Sequence, residues 1–209
     1  MKRIVILGGG GHGRVAAEIA ELNGYRDIAF LEYKKGLTAD KGPWPVIGQD
    51  DDATLEDLRQ SSAFFVGLGE NDKRWMLMER LLCNGLDVVT LTHPSAVVSS
   101  YADIGRGSLI CAGAIISPFA AIGRGAIVNT NASVDHDCTL GQHVHIAPGV
   151  ALAADVTVGD RAFVGIGAAV RNGVNIGAGS IIGAGSVVVA DIAKDVTVYG
   201  ARAMPAKNR

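Results

Sequence analysis

The feature that most constrains the fold is a branched aliphatic residue at every sixth position between residues 98 and 188. The sixteen positions are Val98, Ile104, Ile110, Ile116, Ile122, Val128, Val134, Leu140, Ile146, Leu152, Val158, Val164, Val170, Ile176, Ile182 and Val188. Neither an α-helix, with a repeat of about 3.6 residues, nor a half-buried strand, with a repeat of about two, needs this spacing. A triangular coil does, because each group of six residues then makes one short strand and one corner. The aliphatic residue points inward, so the pattern predicts a parallel β-helix.

A second repeat supports this prediction, because glycines recur every eighteen residues, each directly after an aliphatic position. They are Gly105, Gly123, Gly141, Gly159 and Gly177. Three groups of six residues close one turn of a triangular coil. Small residues are expected at its corners, where a Cβ or a positive φ would be unfavourable.

Composition excludes several classes of function. A net charge of −2 over 209 residues gives no basic surface, so nucleic acid is not an expected partner. No run of about 18 apolar residues occurs, so no membrane span is predicted. The cysteines Cys83, Cys111 and Cys138 are odd in number and far apart, which favours free thiols and a cytoplasmic location.

Residues 1–93 have a different pattern, in which strands alternate with helices. Strands are predicted at Lys2–Leu7, Asp27–Tyr33, Val46–Gly48, Ala63–Leu68 and Asp87–Thr92, and helices at His12–Asn23, Asp50–Gln60 and Asn71–Asn84. This alternation predicts a small Rossmann-like α/β domain with a parallel sheet. Pro94 pushes the residue before it out of the helical region, so the second domain is predicted at 94–209. The repeat fades at Lys194, and the tail from Val196 is expected to cap the open end.

A glycine-rich loop at residues 8–13 follows the first strand and opens the first helix. It fits the pattern G-x-G-x-x-G, and Glu32 lies nineteen residues beyond Gly13, which in a dinucleotide-binding fold would be the ribose ligand. A domain of about 90 residues is too short for a full dinucleotide fold. A nucleotide-type ligand is therefore favoured over NAD and over a simple tight turn.

Three histidines lie close together in the coil region. His136 is flanked by Asp135 and Asp137, which suits a general base, since a carboxylate can fix the tautomer and raise the basicity of an imidazole. A surface histidine among hydrogen-bonding neighbours is the plainer alternative. A zinc site that joins His136 to His143 and His145 is another, as is nucleophilic chemistry at Cys138.

Together these residues resemble the hexapeptide acyltransferase superfamily, and within it the nucleotide-sugar branch. That branch includes bacillosamine-pathway and perosamine N-acetyltransferases and sialic acid O-acetyltransferases. The resemblance covers nearly the whole chain and rests on the glycine-His-Gly loop at residues 6–13 and on the histidine-rich coil at residues 129–146. It implies a left-handed β-helix, although crossovers between parallel strands are normally right-handed.

The resemblance also implies roles for individual residues. His136 would be the general base and Asp137 the acid that orients it. The nucleotide-sugar would be held by Gly10, Gly11 and His12, with Glu32, Tyr33 and Gly69. Acetyl-CoA would lie at His145, with its pantetheine against the backbone of Ile166 and Ala184 between two subunits of a homotrimer. No metal is expected.

The chain departs from the bacillosamine enzymes at three places. It has Glu32 and Tyr33 where those enzymes carry two aspartates, which leaves the nucleotide open among UDP, GDP and dTDP. Ala154 replaces a glycine whose amide faces the oxyanion. Ala203 replaces the glycine of the Gly-x-Pro-Ala-Lys ending.

The sequence is therefore interpreted as an acetyl-CoA-dependent N-acetyltransferase. Its expected acceptor is the 4-amino group of a nucleotide-activated 4-amino-4,6-dideoxy sugar used for surface glycans. O-acetylation of a sugar such as a sialic acid is the alternative within the class. A non-catalytic nucleotide-sugar-binding solenoid and a zinc lyase or hydratase are the alternatives outside it.

Overall fold

The computed structural model describes residues 2–32, 42–60 and 62–200. Its N-terminal part contains the strands β1 (Arg3–Leu7), β2 (Asp27–Glu32), β3 (Val46–Gln49) and β4 (Ala63–Val66) and the helices α1 (Gly11–Leu22), α2 (Asp52–Leu58) and α3 (Asn71–Cys83). The four strands form a parallel sheet with the order β3-β2-β1-β4. The α/β unit predicted from the alternating pattern is confirmed.

The apolar sequence of β1 explains its central place in this sheet. Its residues from Ile4 to Leu7 are all buried, as expected for a strand of a parallel sheet covered on both faces. Helix α1 turns Ala16, Ile19 and Ala20 inward at helical spacing, and Gly24, with a φ of 87°, follows its end.

The rest of the chain coils into three parallel sheets, here called the first, second and third faces. The first face contains β5 (Leu91–Thr92), β8 (Leu109–Ile110), β11 (Ile127–Val128), β14 (His145–Ile146), β17 (Phe163–Val164), β20 (Ile181–Ile182) and β22 (Thr197–Val198). The second contains β6 (Val97–Val98), β9 (Ile115–Ile116), β12 (Ser133–Val134), β15 (Ala151–Leu152), β18 (Ala169–Val170) and β21 (Val187–Val188). The third contains β7 (Asp103–Ile104), β10 (Ala121–Ile122), β13 (Thr139–Leu140), β16 (Thr157–Val158) and β19 (Asn175–Ile176).

This arrangement is the predicted left-handed parallel β-helix. The chain passes from the first face to the second at the first corner, from the second to the third at the second corner, and back to the first at the third corner. All sixteen aliphatic residues of the repeat occupy the second position of a two-residue strand and point into the prism. Only Val98 and Ile104, at the first coil, are half-buried rather than buried.

The glycines that recur every eighteen residues are needed for close packing of successive coils. A Cβ placed on Gly123 would lie 2.5 Å from the backbone of Gly141. These five glycines have ordinary φ angles, and the positive φ angles occur at other corner positions. The expected small corner residues are therefore present, and here the reason is the distance between coils.

The α/β unit packs against the outer side of the first face. Side chains of α1, among them Ala16 and Ile19, share one apolar cluster with Leu91, Leu109 and Ile127. These last three residues occupy equivalent positions on successive coils, and each is buried. The docking of α1 therefore places the glycine loop beside the next residue of that column, His145.

Two segments, one near each end of the β-helix, pair differently from the sequence-based expectation. The segment 87–92 divides between the two units: Val88 forms a bridge to Phe64, whereas Leu91–Thr92 pairs with Leu109–Ile110 of the β-helix. The division at residue 93 stays a prediction. At the other end, β22 pairs with β20, so the coil continues past Lys194 instead of ending there. Residues 201–209, which include the Ala203 motif, lie outside the described residues.

Candidate active site

The glycine loop leaves the start of α1 open to a ligand. Gly8, with a φ of 95°, turns the chain out of β1, and Gly10 precedes the first helical residue without a side-chain cap. Apart from their chain neighbours and the backbone of α1, no described atom lies within 4 Å of the space that a Cβ on Gly10 or Gly11 would occupy. Helix α1 has no acidic residue in its first turn. Uncapped amides at a helix N-terminus suit a phosphate group, because the helix dipole favours negative charge there.

Gly13 allows α1 to lie directly against this loop. A Cβ on Gly13 would collide with the carbonyl oxygen of Gly8, and a Cβ on Gly67 would lie 2.6 Å from the Cα of Gly13. Gly8 thus supplies the tight turn and Gly13 the close helix packing, the roles of the first and third glycines in a nucleotide-binding loop.

Glu32 ends β2 beside the same loop. Its side chain is buried, and burial raises the pKa of its carboxyl group, while a hydrogen bond from the backbone of Gly9 acts in the opposite direction. The carboxylate thus lies next to the open helix start, where it can accept a hydrogen bond from a sugar hydroxyl or a base edge. Tyr33, the next predicted contact, lies outside the described residues.

A chain of ring and backbone contacts joins this loop to the β-helix. The rings of His12 and His145 are in edge-to-face contact, with their centroids 5.1 Å apart. Gly69, in the loop after β4, packs against the His12 ring so closely that a Cβ would collide with it. The carbonyl oxygen of Gly69 lies 3.2 Å from Nδ1 of His145. His12 and Gly69, predicted to hold the nucleotide-sugar, and His145, predicted to lie at acetyl-CoA, are therefore neighbours.

His145 is held in one tautomer. Its Nδ1–H donates to the Gly69 carbonyl, so Nε2 is the acceptor for the side-chain amide of Asn129, 3.2 Å away. Burial, aided by the charges of His12 and Arg74, lowers the pKa of His145 to about 3. A neutral imidazole with both nitrogens occupied is suited to positioning a loop and not to taking a proton.

Arg74 on α3 is the residue at this junction that the sequence-based analysis missed. Its guanidinium is buried and donates to the carbonyl oxygens of Gly125 and His143, at 2.7 and 2.6 Å, and to those of Leu68 and Gly69, at 3.1 Å each. It thereby ties the loop after β4 to two coils. The available signal was its position on the buried face of α3, which it shares with Met78 and Leu81.

His136 lies in a different environment, at the second corner. Its side chain is exposed, and its Nδ1 is 2.7 Å from Oδ2 of Asp137. This hydrogen bond is the largest cause of the raised pKa of His136. Desolvation, the next cause, opposes it, and the charges of Asp135, Asp137 and Asp155 add to it. With Nδ1–H donating to Asp137, Nε2 is the basic atom of this exposed ring.

Ala154 follows His136 by one coil at the same corner. The chain is linked there by hydrogen bonds from the Asp155 amide to the His136 carbonyl, at 3.1 Å, and from the Gly173 amide to the Ala154 carbonyl, at 3.0 Å. Ala154 is absent from the residues with positive φ, so alanine fits this position without strain.

Ile166 and Ala184 occupy equivalent positions of successive coils at the first corner. Both are exposed, and the Gly185 amide donates to the Ile166 carbonyl at 2.8 Å. They lie on the corner that also carries Asn129. Within one copy of the chain, the second face therefore separates these residues from His136.

The positions of the three coil histidines and of Cys138 bear on the two alternatives, a zinc site and a thiol nucleophile. His136, His143 and His145 lie on the second corner, the third corner and the first face. Among the described residues, no cluster of three or more His, Cys, Asp or Glu side chains could hold a metal ion. Cys138 is buried with Sγ 3.1 Å from the Ala153 carbonyl, and burial raises its thiol pKa, which makes it a poor nucleophile.

A cleft of about 520 Å³ opens beside Gly69, between the start of α3 and the later coils. Arg161, Phe163 and Ile181 contribute to its wall. It faces the third corner, and Gly69 is the only predicted site residue that lines it.

No helix in the described ranges is both long and apolar enough to cross a bilayer.

Comparisons with known proteins identify the family and similar folds. Residues 3–81 match the family model described as the PglD N-terminal domain. A UDP-N-acetylbacillosamine N-acetyltransferase of Bacillus subtilis (strain 168) is 40% identical over 113 residues, which cover 54% of this chain and 52% of that relative. The chain thus matches about half the length of this curated relative.

Two groups of solved structures are similar over nearly the full chain. The acetyltransferase domain of PglB from Neisseria gonorrhoeae FA1090, in complex with acetyl coenzyme A, is 37% identical with a TM-score of 0.90, over 95% of this chain and 96% of that one. PerB from Caulobacter crescentus, in complex with CoA and GDP-perosamine, is 41% identical with a TM-score of 0.88, over 96% of this chain and 95% of that one.

Proposed function

Because the chain belongs to the family of hexapeptide-repeat acetyltransferases that contains the PglB acetyltransferase domain and PerB, we propose that it acetylates a nucleotide-linked amino sugar. The donor is acetyl-CoA. The proposed acceptor is the 4-amino group of a nucleotide-activated 4-amino-4,6-dideoxy sugar, and we place the reaction in the cytoplasm, as a step toward surface glycans.

One observation carries this proposal: the exposed His136, whose Nδ1 is hydrogen-bonded to Asp137, which leaves Nε2 as its basic atom. A histidine held in this way has the tautomer and the raised basicity of a general base. His145, by contrast, has both ring nitrogens occupied and a pKa near 3. Of the two histidines, only His136 is equipped to accept a proton from the acceptor.

The reaction that follows is a direct acyl transfer. The sugar amine attacks the thioester carbonyl carbon, and Nε2 of His136 takes the proton that the amine loses. The tetrahedral intermediate collapses when the C–S bond breaks, and His136 returns its proton to the departing CoA sulfur. The backbone amide of Ala154 is our candidate for a hydrogen bond to the oxyanion. No acyl-enzyme forms, in agreement with a thiol at Cys138 that burial keeps protonated.

The acceptor is proposed to bind at the glycine loop. The uncapped amides at the start of α1, at Gly11 and His12, suit its diphosphate, and the buried carboxylate of Glu32 suits a hydroxyl or base N–H. His145 and Arg74 support this site indirectly, because they hold the Gly69 carbonyl and with it the loop after β4. For acetyl-CoA we propose the first corner, at Ile166 and Ala184, next to His145, which is linked to that corner through Asn129.

These positions require more than one copy of the chain. His136 is separated from the first corner by the second face, whose outward residues carry no charge. They are Val97, Ile115, Ser133, Ala151, Ala169 and Val187. In the single chain, Val97, Ile115 and Val187 are exposed large apolar side chains. We propose a homotrimer in which this face is covered and the second corner of one copy meets the first corner of the next.

The test of activity is release of CoA thiol by the purified full chain. UDP-, GDP- and dTDP-linked 4-amino-4,6-dideoxy sugars and a sialic acid are each supplied with acetyl-CoA. The product is checked by mass for an added acetyl group, and resistance to hydroxylamine distinguishes an amide from an ester. Thiol release with one of these sugars supports the proposal. Release only with a sialic acid would establish O-acetylation instead, and tight sugar-nucleotide binding without release would establish a non-catalytic binding protein.

The test of assembly is light scattering at micromolar concentration. We expect three times the monomer mass of 21.6 kDa. A particle of monomer mass would contradict both the proposed trimer and the proposed site shared between subunits.

A further inference from the structure

Two aromatic side chains stand exposed on the second corner, on the coils that precede His136. Tyr101 is 71% exposed and Phe119 is 66% exposed. Their rings are 5.8 Å apart between centroids, and the amide of Phe119 donates to the carbonyl of Tyr101 at 3.2 Å. The pair forms a small apolar surface that contributes nothing to the core of the β-helix.

Phe119 is also in an unfavourable backbone conformation. Its φ is 64°, in the left-handed region that bulky residues rarely adopt. The other non-glycine residues with positive φ are all polar or charged: Asn131, Asp137, His143, Asp155, Arg161 and Asp195. Neither backbone preference nor burial accounts for a phenylalanine at this corner. An outlier of this kind is a reason to look for a function of the side chain.

The position of Phe119 relative to the proposed base suggests that function. Phe119 and Asp137 are eighteen residues apart and occupy the same place on successive coils. The amide of Asp137 donates to the carbonyl of Pro118 at 3.3 Å, which links the two corners directly. Neighbouring coils are separated by about 4.8 Å, the usual distance between paired strands. The aromatic pair therefore begins one coil away from the carboxylate that orients His136.

We infer that Tyr101 and Phe119 form a subsite for the C6 methyl group of the acceptor sugar. This inference rests on the proposed function. In a 4-amino-4,6-dideoxy sugar the methyl group is attached to C5, the carbon next to the one that bears the reacting amine. When the amine reaches Nε2 of His136, the methyl group lies at the same corner, within one coil of that atom.

An aromatic surface there favours a methyl group over a hydroxymethyl group. The methyl group loses apolar exposed area on contact, whereas a hydroxyl placed against two rings loses hydrogen bonds to water. The pair would thus select 6-deoxy sugars over their 6-hydroxy counterparts. A difference of one small group in an apolar pocket is worth about 10- to 200-fold in kcat/KM.

The experiment compares two acceptors with the same nucleotide, a 4-amino-4,6-dideoxyhexose and the corresponding 4-amino-4-deoxyhexose. We expect the wild-type trimer to prefer the 6-deoxy acceptor by about 10- to 100-fold in kcat/KM. Phe119→Asn should bring this preference close to one, through a lower kcat/KM for the 6-deoxy acceptor, with the KM for acetyl-CoA unchanged. Asparagine tolerates a positive φ, so the melting temperature should not fall. Tyr101→Ser should act in the same direction with a smaller effect.

Met76→Ala is the matched control, because Met76 is an exposed apolar side chain on α3 outside the proposed site. It should leave the preference intact. An equal loss with both acceptors in Phe119→Asn, or loss of the trimer by light scattering, would overturn the inference in favour of a structural or subunit-contact role. If the wild type acetylates both sugars equally, the inference alone fails. If it acetylates neither, nor any other 4-amino sugar nucleotide, the proposed function fails and the inference fails with it.

Discussion

The second corner and the junction between the α/β unit and the first face use the same residue type in opposite ways. At the corner, His136 is exposed, is paired with one carboxylate and has a raised pKa. At the junction, His145 is buried, uses both ring nitrogens and has a pKa near 3. The two residues are nine positions apart in sequence. Solvent access and partners, and not residue type, raise the pKa of one histidine and lower that of the other.

The strongest test of this comparison is His136→Ala. We expect kcat to fall about 10²- to 10⁴-fold, the usual contribution of a general base. Acetyl-CoA binding and the melting temperature should be close to those of the wild type, because the side chain is exposed and lies outside the core of the β-helix. Calorimetry with acetyl-CoA and steady-state kinetics measure the two effects. Near-normal turnover would show that the corner has no chemical role.

The corresponding test of the junction is Arg74→Met, which removes a buried charge and replaces it with an apolar side chain of similar length. Several carbonyl oxygens then lose their donor, so the free energy of unfolding should decrease by about 3 kcal/mol or more. Urea unfolding measures this change, and Arg80→Met, at a more exposed arginine of the same helix, is the control. A stable variant with a large loss of kcat would contradict the structural role given to the junction.

Glu32→Ala tests whether the open helix start beside the junction binds the acceptor. Loss of a hydrogen bond to a charged group is worth about 1.5–3 kcal/mol, so the acceptor KM should rise roughly 10- to 100-fold. The acetyl-CoA KM should be nearly unchanged, because that ligand is proposed to lie at the first corner. An unchanged acceptor KM in a folded variant would remove Glu32 from the site. Detection of NAD binding by calorimetry would favour the dinucleotide interpretation.

The buried histidine also predicts a dependence of stability on pH. The pKa of His145 is about 3 in the folded chain and 6.5 for an unperturbed histidine, so the unfolded chain binds the extra proton. The stability from this group is complete above pH 6.5 and is lost as the pH falls from there toward 3. At pH 5 the loss is about 2 kcal/mol. Urea unfolding at pH 7.5 and pH 5 should show a smaller difference for His145→Gln than for the wild type. An equal difference would place the acid sensitivity elsewhere, with His143 the next candidate because its pKa is lowered to about 4.

The smallest expected effect is that of Asp137→Asn. Asparagine also tolerates the φ of 61° at this position, so the corner should keep its shape. The hydrogen bond that the His136 Nδ1–H donates to Asp137 is the main cause of the raised pKa of His136, so its weakening should lower that pKa. The acid limb of the kcat/KM profile should therefore move to lower pH, with a decrease in maximal rate of about tenfold. A profile that does not move would mean that Asp137 does not tune the base.

Much of the fold could be predicted from local patterns. The repeat of six residues defines a coil because each strand and corner is built from consecutive residues, and the sixteen inward positions follow from it. The glycine loop could be recognised between a strand and a helix for the same reason. The division of the segment 87–92 could not, because Leu91 pairs with Leu109 of the next coil and not with the neighbouring α/β sheet.

The candidate site shows the same limit. His136 and Asp137 are adjacent in sequence, so their pairing could be expected from the residues alone, and the structure places them 2.7 Å apart. Arg74 was missed because its partners are far along the chain, at Gly125 and His143. An arginine in a helix is expected to be exposed, and only the packing of α3 against the β-helix shows that Arg74 is buried.

The sequence by itself determined the coil, the open helix start and the acid–histidine pair, since each depends on neighbouring residues. Only the tertiary structure decided that the α/β unit covers the first face and brings Gly69 to His145, a contact across 76 residues. It also decided the direction of the pKa shift at two histidines, because burial, which no local pattern records, lowers the pKa of His145, while the hydrogen bond to Asp137 raises that of the exposed His136.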